Sequence, residues 1–273
     1  MAGFLGMFNY SKPGPGIGKD EPQKYRFFIF FEIFFRKFWK LIQINLLYFV
    51  SCIPFFIPFF YVLSLRVNNP ILLALSLSPT IGIATVTSGF TYILRNFARE
   101  EHAFLWMDYR DTIKSNWRQS LVVGIVDFVV IFLMYFSLTF YYQHIKVNLI
   151  FAVPFIICVF LSIIFVFMQY YLFVMLITFD LRVKQLLKNA LLFAFAGLGR
   201  NLLISLFSGI IILIIPLLFP YSLLLIPLIA LSIIGLIINF NVWPLIDRIM
   251  IPKDTPEDKV ENSVFDDNLE QRY

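Results

Sequence analysis

The chain has 273 residues, of which 60% are hydrophobic and 14% charged, with a mean hydropathy of +0.82. Soluble domains are nearer half apolar and a quarter charged, so the composition excludes an ordinary soluble enzyme fold and points to a membrane domain with short appendages. The net charge of +5 is modest, and where the basic residues sit matters more than how many there are.

In chain order, the first segment is a mixed polar and aromatic arm, 1–24. Within it Gly14-Pro15-Gly16-Ile17-Gly18-Lys19 superficially suggests a phosphate loop. A Walker motif needs four residues between its glycines and Ser or Thr after the Lys, whereas Asp20 follows here. The reading is a stiff extended arm. No apolar stretch lies near the start, so an uncleaved first span is expected.

Tyr25–Leu41 is rich in Phe, with Glu32, Arg36 and Lys40 at i, i+4 and i+8 and Lys37 beside them. One narrow charged stripe on an aromatic helix predicts an element lying in the headgroup region. Arg36, Lys37 and Lys40 are its candidate contacts with anionic membrane lipids. The spans follow at about 42–64, 71–94, 120–142, 150–179, 202–219 and 221–242, since roughly 20 residues cross the ~30 Å hydrocarbon core. Pro54 and Pro58 should kink the first. The fourth is longer than a crossing requires and is expected to tilt or project. Pro216 and Pro220 predict a tight connection between the fifth and sixth, a pair also open to reading as one long span.

Of the 22 Lys and Arg residues, all but Arg66 and Lys146 fall on one side of this arrangement. Basic residues mark the cytoplasmic face, so both termini are expected inside. Trp39-Lys40-Leu41 with Asn45, Asn116-Trp117-Arg118 and Gly199-Arg200-Asn201 each lead into an apolar run. They suggest three weak repeats of an amphipathic elbow followed by a transmembrane hairpin. The predicted fold is therefore an all-α membrane protein of about six spans, with a transmembrane domain at 25–251 and an acidic cytoplasmic tail at 252–273.

Asp127 is the candidate intramembrane polar site, about six residues or ~9 Å into the third span. An ionised Asp at mid-span costs on the order of 2.5–3.5 kcal/mol. It reads either as a substrate or proton site, or as a structural carboxylate bonded to a neighbouring helix, with Asn45, Asn239, Asn241 or a Tyr as partner. The structural reading is preferred, because one such group is too few for a relay. His102 beside Glu100 and Glu101 suggests a metal, but His144 is across the membrane and no second histidine joins it. Cys52 and Cys158 lie in apolar runs and read as buried apolar residues. No Ser/His/Asp set or carboxylate pair is placed for catalysis, so neither enzyme activity, cofactor nor metal is predicted. Nothing calls for nucleic acid.

The arm Met7-Phe8-Asn9-Tyr10-Ser11-Lys12-Pro13-Gly14-Pro15-Gly16, with Lys19-Asp20-Glu21-Pro22, resembles the opening of the YesL-like family of bacterial membrane proteins. Phe34-Phe35-Arg36-Lys37-Phe38-Trp39-Lys40-Leu41, Asn45-Leu46-Leu47-Tyr48, Thr178-Phe179-Asp180-Leu181 and Leu187-Lys188-Asn189-Ala190 resemble it too. The family is named for having no known function. The resemblance implies a Gram-positive bacterium and a multi-pass protein often encoded near carbohydrate ABC importers and their sensor kinases. It carries over no site residue. The expected role is a non-catalytic accessory subunit bound to the permeases of an oligosaccharide ABC importer. The alternatives are an independent secondary transporter coupled through Asp127 and a membrane partner of a sensor kinase.

Overall fold

The computed structural model describes residues 25–65, 72, 76 and 78–251. The arm and the acidic tail lie outside the described residues, as does part of the expected second span. Every regular element among the described residues is helical. They are α1 (Arg26–Arg36), α2 (Phe38–Leu65), α3 (Pro79–Ala98), α4 (Leu105–Ile145), α5 (Ala152–Leu176), α6 (Val183–Ala196), α7 (Leu198–Leu217) and α8 (Leu231–Met250). A 3-10 turn, Leu149–Phe151, leads into α5. A second, Tyr221–Leu224, and a π-turn, Ile226–Ala230, lead into α8.

Five helical stretches are long and apolar enough to cross a bilayer: Phe38–Val62, Leu105–Ile145, Leu149–Leu176, Leu198–Leu217 and Ile226–Met250. The chain is a helical protein of multi-pass character. The last two stretches are separate helices, which settles the connection around Pro216 and Pro220. The described part of the expected second span falls in α3. Thr80, Thr85, Thr87, Ser88 and Thr91 dilute its hydropathy, and it is not among the five.

α3 is nevertheless the centre of the molecule. Twelve of its 20 residues are buried, because α2, α4, α5 and α8 all pack on it. Its tightest neighbour is α4. A Cβ on Gly89 would lie 2.6 Å from the Tyr109 carbonyl oxygen, and one on Gly124 2.7 Å from that of Ile81. Small residues at both ends of the crossing bring the backbones together, which is how helices associate where lipid removes the hydrophobic drive between them. Gly235 does the same for α8, since a Cβ there would meet Leu94 at 2.4 Å.

Several expectations about element boundaries are corrected. The predicted helix over 25–41 is broken at Lys37, whose backbone N–H closes α1 onto the carbonyls of Ile33 and Phe35. Glu32 and Arg36 therefore share α1, while Lys40 belongs to α2. α4 has no elbow at Asn116-Trp117-Arg118. It runs 41 residues unbroken, about 60 Å at 1.5 Å per residue, so this helix exceeds a ~30 Å crossing by more than the 28-residue stretch Leu149–Leu176 of the expected fourth span does. The fourth ends at Leu176, where Arg95 of α3 binds the chain that follows. α6 and α7 do part, at Gly197, where a Cβ would lie 2.1 Å from the Tyr171 hydroxyl.

α1 buries Ile33 and packs Phe30 and Phe34 inward, while Phe27, Phe28, Phe31 and Phe35 face outward. This is the aromatic face expected of a headgroup-region helix.

Candidate functional site

A cavity of about 180 Å³ lies among α2, α3, α5 and α8. It far exceeds the ~15 Å³ that one water requires and is smaller than the ~300 Å³ at which drug-sized ligand pockets begin. Its wall is mostly apolar, with Tyr48, Thr87, Thr91, Gln169, Tyr170 and Asn239 as its polar members.

Each polar group has a local reason for its position. Thr87 donates its hydroxyl to the Ile83 carbonyl one turn back at 2.8 Å, which leaves its oxygen to accept from the Tyr48 hydroxyl at 2.9 Å. Tyr48 also stacks on Phe90, with ring centroids 4.1 Å apart. Tyr170 pairs with Ser205 of α7 at 2.9 Å. Asn239 donates to the Gly235 carbonyl at 2.7 Å, yet its Oδ1 has no partner, and the residue is only 3% exposed. A buried amide oxygen without a donor is costly, and in a cavity of this size water or a polar solute would supply the missing bond.

Gln169 links the cavity to Asp127. Its Nε2 donates to Asp127 Oδ1 at 2.7 Å, and Asp127 itself is 8% exposed. The carboxylate therefore does have an interhelical partner, as the structural reading expects. That partner is the Gln169 amide, and the expected candidates Asn45, Asn239, Asn241 and tyrosine are corrected. Asn241 donates to the Ile237 carbonyl in its own helix.

Asn45 has a different task. Fully buried on α2, it donates from Nδ2 to the carbonyls of Ile226 at 2.8 Å and Pro227 at 2.7 Å, and accepts from Ser232 N at 2.7 Å. Those three backbone groups flank the π-turn at the start of α8. Pro227 has no N–H and disturbs the helical ladder, and one amide side chain satisfies the groups left open. Asn201, its counterpart in the third motif, is also fully buried. It accepts from the Tyr171 hydroxyl at 2.7 Å and donates to the Ala194 carbonyl at 2.9 Å. Asn116, in the second, bonds only locally, to the Thr112 carbonyl at 3.0 Å and to Ser115 at 3.0 Å.

At the end of α3, Arg95 is 7% exposed. Its Nη1 donates to Thr178 Oγ1 at 2.8 Å and reaches the Ile177 carbonyl at 3.4 Å. Its guanidinium lies 4.9 Å from the Tyr92 ring centroid. Cations are favoured at helix C-termini, here those of both α3 and α5. Burial lowers the Arg95 pKa, and the charge of Arg99 adds to the effect.

The three predicted headgroup contacts have unequal surroundings. Arg36 forms an ion pair with Glu100, whose hydrogen bond and charge raise the Arg36 pKa. Lys37 lies 5.2 Å from the Phe97 ring centroid, and partial burial, with repulsion from Lys40 and Arg36, lowers its pKa. Lys40 is exposed. Near His102, Glu101 pairs with Arg99 at 2.6 Å. Among the described residues no group of three His, Cys, Asp or Glu side chains is gathered as a metal site. Cys52 and Cys158 are both free thiols.

Sequence reasoning did not single out Gln169, Asn239 as a cavity residue, or Arg95. A lone amide in the apolar run Leu149–Phe179 is a signal for Gln169, because such residues in a span face the protein interior.

Residues 65–138 match the model of a family described as "Protein of unknown function, DUF624". The resemblance to the YesL-like family is consistent with that match. The matched segment holds α3, Gly89, Gly124 and Asp127, and it stops before Gln169 and Asn239. No curated protein matches the chain, and no solved structure does.

Proposed function

We propose that this chain is a non-catalytic, multi-pass accessory subunit that packs against the permeases of an oligosaccharide ABC importer. Both of its termini are cytoplasmic in this reading, and its membrane domain is built of hairpins, with separate elbow helices, α1 and α6, on the cytoplasmic side before the first and the last of them. The observation that carries the reading is the commitment of Asp127 to Gln169. A carboxylate tied by an amide to the next helix acts as an interhelical tie, which is the part expected of it in a subunit that neither pumps nor hydrolyses. The importer as partner class comes from the YesL-like resemblance.

The test has two arms. The protein, cross-linked at native expression level and purified, should carry importer permease subunits. The same protein alone in proteoliposomes should transport none of the importer's sugars. Uptake by the purified chain alone would overturn the proposal.

One observation favours the second reading, an independent carrier of a small polar solute. The cavity holds an unpartnered Asn239 oxygen beside Gln169, and polar groups facing an intramembrane cavity are the usual lining of a solute path. In that case uptake by the chain alone should be lost in Asp127→Asn. Membrane partnership with a sensor kinase is the third reading, and co-purification of a kinase in place of permeases would select it.

A further inference from the structure

A second cavity, of about 280 Å³, lies where α1 meets α7 and α8. Its walls are Phe27, Phe30, Phe31, Leu203, Phe207 and Ile237, and Arg26 stands at its edge. Arg26 opens α1, and its Nη2 donates to the Phe240 carbonyl at 2.7 Å while its guanidinium lies 4.9 Å from that ring's centroid. This fixes the head of a long side chain over an apolar groove.

Arg200 stands in the first turn of α7, three residues before Leu203 and seven before Phe207, so all three share one helix face. Its Nη1 is buried and has no hydrogen-bond partner. Burial lowers the Arg26 pKa, and the charge of Arg200 lowers it further. Among the described residues no carboxylate forms an ion pair with either arginine. Two like charges brought together beside an open donor call for an anion between them. The apolar groove alongside calls for a hydrocarbon chain.

We infer that this groove is a binding site for one anionic phospholipid, its phosphate held between Arg26 and Arg200 and its acyl chain laid along the phenylalanine wall. Guanidinium groups suit phosphate oxygens because they present several donors in one plane. The position suits a lipid too, since α1 exposes Phe27, Phe28, Phe31 and Phe35 beside the groove. The acidic tail would meet the charge requirement but has few apolar residues for the wall. The site requires only that the chain sits in a membrane, and does not depend on the importer reading.

The test is native mass spectrometry of the delipidated full-length protein with phosphatidylglycerol, phosphatidylcholine or inorganic phosphate added. Wild type should retain one phosphatidylglycerol, at least tenfold in preference to phosphatidylcholine, with no displacement by millimolar phosphate. Arg26→Gln with Arg200→Gln should reduce that preference to near unity, whereas Lys184→Gln with Lys188→Gln, on exposed positions of α6, should preserve it. Leu203→Trp, at a position already 50% exposed, should fill the groove and expel the lipid with both charges intact, so the test survives misfolding of the arginine variant. Equal retention of the two lipids by wild type would overturn the site. So would undiminished preference in the double arginine variant or in Leu203→Trp, or full displacement by phosphate alone.

Discussion

Gln169 on α5 donates to Asp127 on α4 across 2.7 Å, and the same Gln169 side chain forms part of the wall of the central cavity. One amide thus ties two spanning helices together and borders the space beside them. Asp127→Asn keeps the shape and an acceptor oxygen, so the fold should tolerate it, while Asp127→Leu and Gln169→Leu each remove the tie. Interhelical hydrogen bonds average about 0.6 kcal/mol in double-mutant cycles. The Asp127/Gln169 coupling, measured by reversible unfolding in bicelles, should lie between about 0.5 and 1.7 kcal/mol. Zero coupling would remove the tie from the account.

Asn45 should be the more sensitive position. Its single side chain satisfies the Ile226 and Pro227 carbonyls and the Ser232 N–H. Asn45→Leu should destabilise the protein by about 1–3 kcal/mol, the cost of leaving buried polar groups unsatisfied. Asn116→Leu, which loses only local bonds, should stay within about 0.5 kcal/mol. Equal losses at the two positions would contradict the assigned roles.

The α3–α4 crossing predicts a contrast among glycines. Gly89→Val and Gly124→Val should force α3 and α4 apart and lower the yield of folded protein, because the carbonyls of Tyr109 and Ile81 stand in the way. Nothing lies within 4 Å of a Cβ on Gly199. Gly199→Ala, inside α7, should be neutral or stabilise by up to about 1 kcal/mol, from helix propensity alone. Size-exclusion profiles and thermal unfolding of the three variants would check the contrast.

Topology is testable directly. Reporters fused at Met107, Lys184 and the C-terminus should read cytoplasmic, and those at Asn69, His144 and Tyr221 external. Asn69 lies outside the described residues, so this fusion tests the sequence reading alone. A cytoplasmic signal at His144 would reverse the α4–α5 hairpin.

The elbow at α1 gives a further prediction. Basic residues near an anionic surface contribute about 1 kcal/mol each. Converting Arg36, Lys37 and Lys40 together to Glu should lower insertion or invert the first span, because it both loses that attraction and sets Arg36→Glu against Glu100. Normal topology in the triple variant would show that the aromatic face of α1 suffices.

Hydropathy made the spans legible before any fold was known, because a bilayer core demands about 20 apolar residues whatever they pack against. The prolines and Asp127 were visible as departures from that rule. Their partners were not. Asp127 needed a donor, and although Gln169 stands out as a lone amide in its run, nothing along the chain says that it, rather than Asn45, Asn239 or Asn241, meets Asp127. The Asn45 motif likewise looked like Asn116 in its Trp-basic setting, although only Asn45 meets an opened backbone.

The sequence by itself determined that this is a helical membrane protein, where its apolar runs lie, and on which loops its basic residues gather. Each follows from the transfer free energy of local segments between water and lipid. The tertiary structure alone decided that α3, which is not among the five stretches apolar enough to span, sits at the centre. It also decided that Gln169 answers Asp127, and that Arg26 is held over an apolar groove between α1, α7 and α8. Such pairings depend on the angle and depth at which helices cross, and those are set by side-chain packing between segments far apart in the chain.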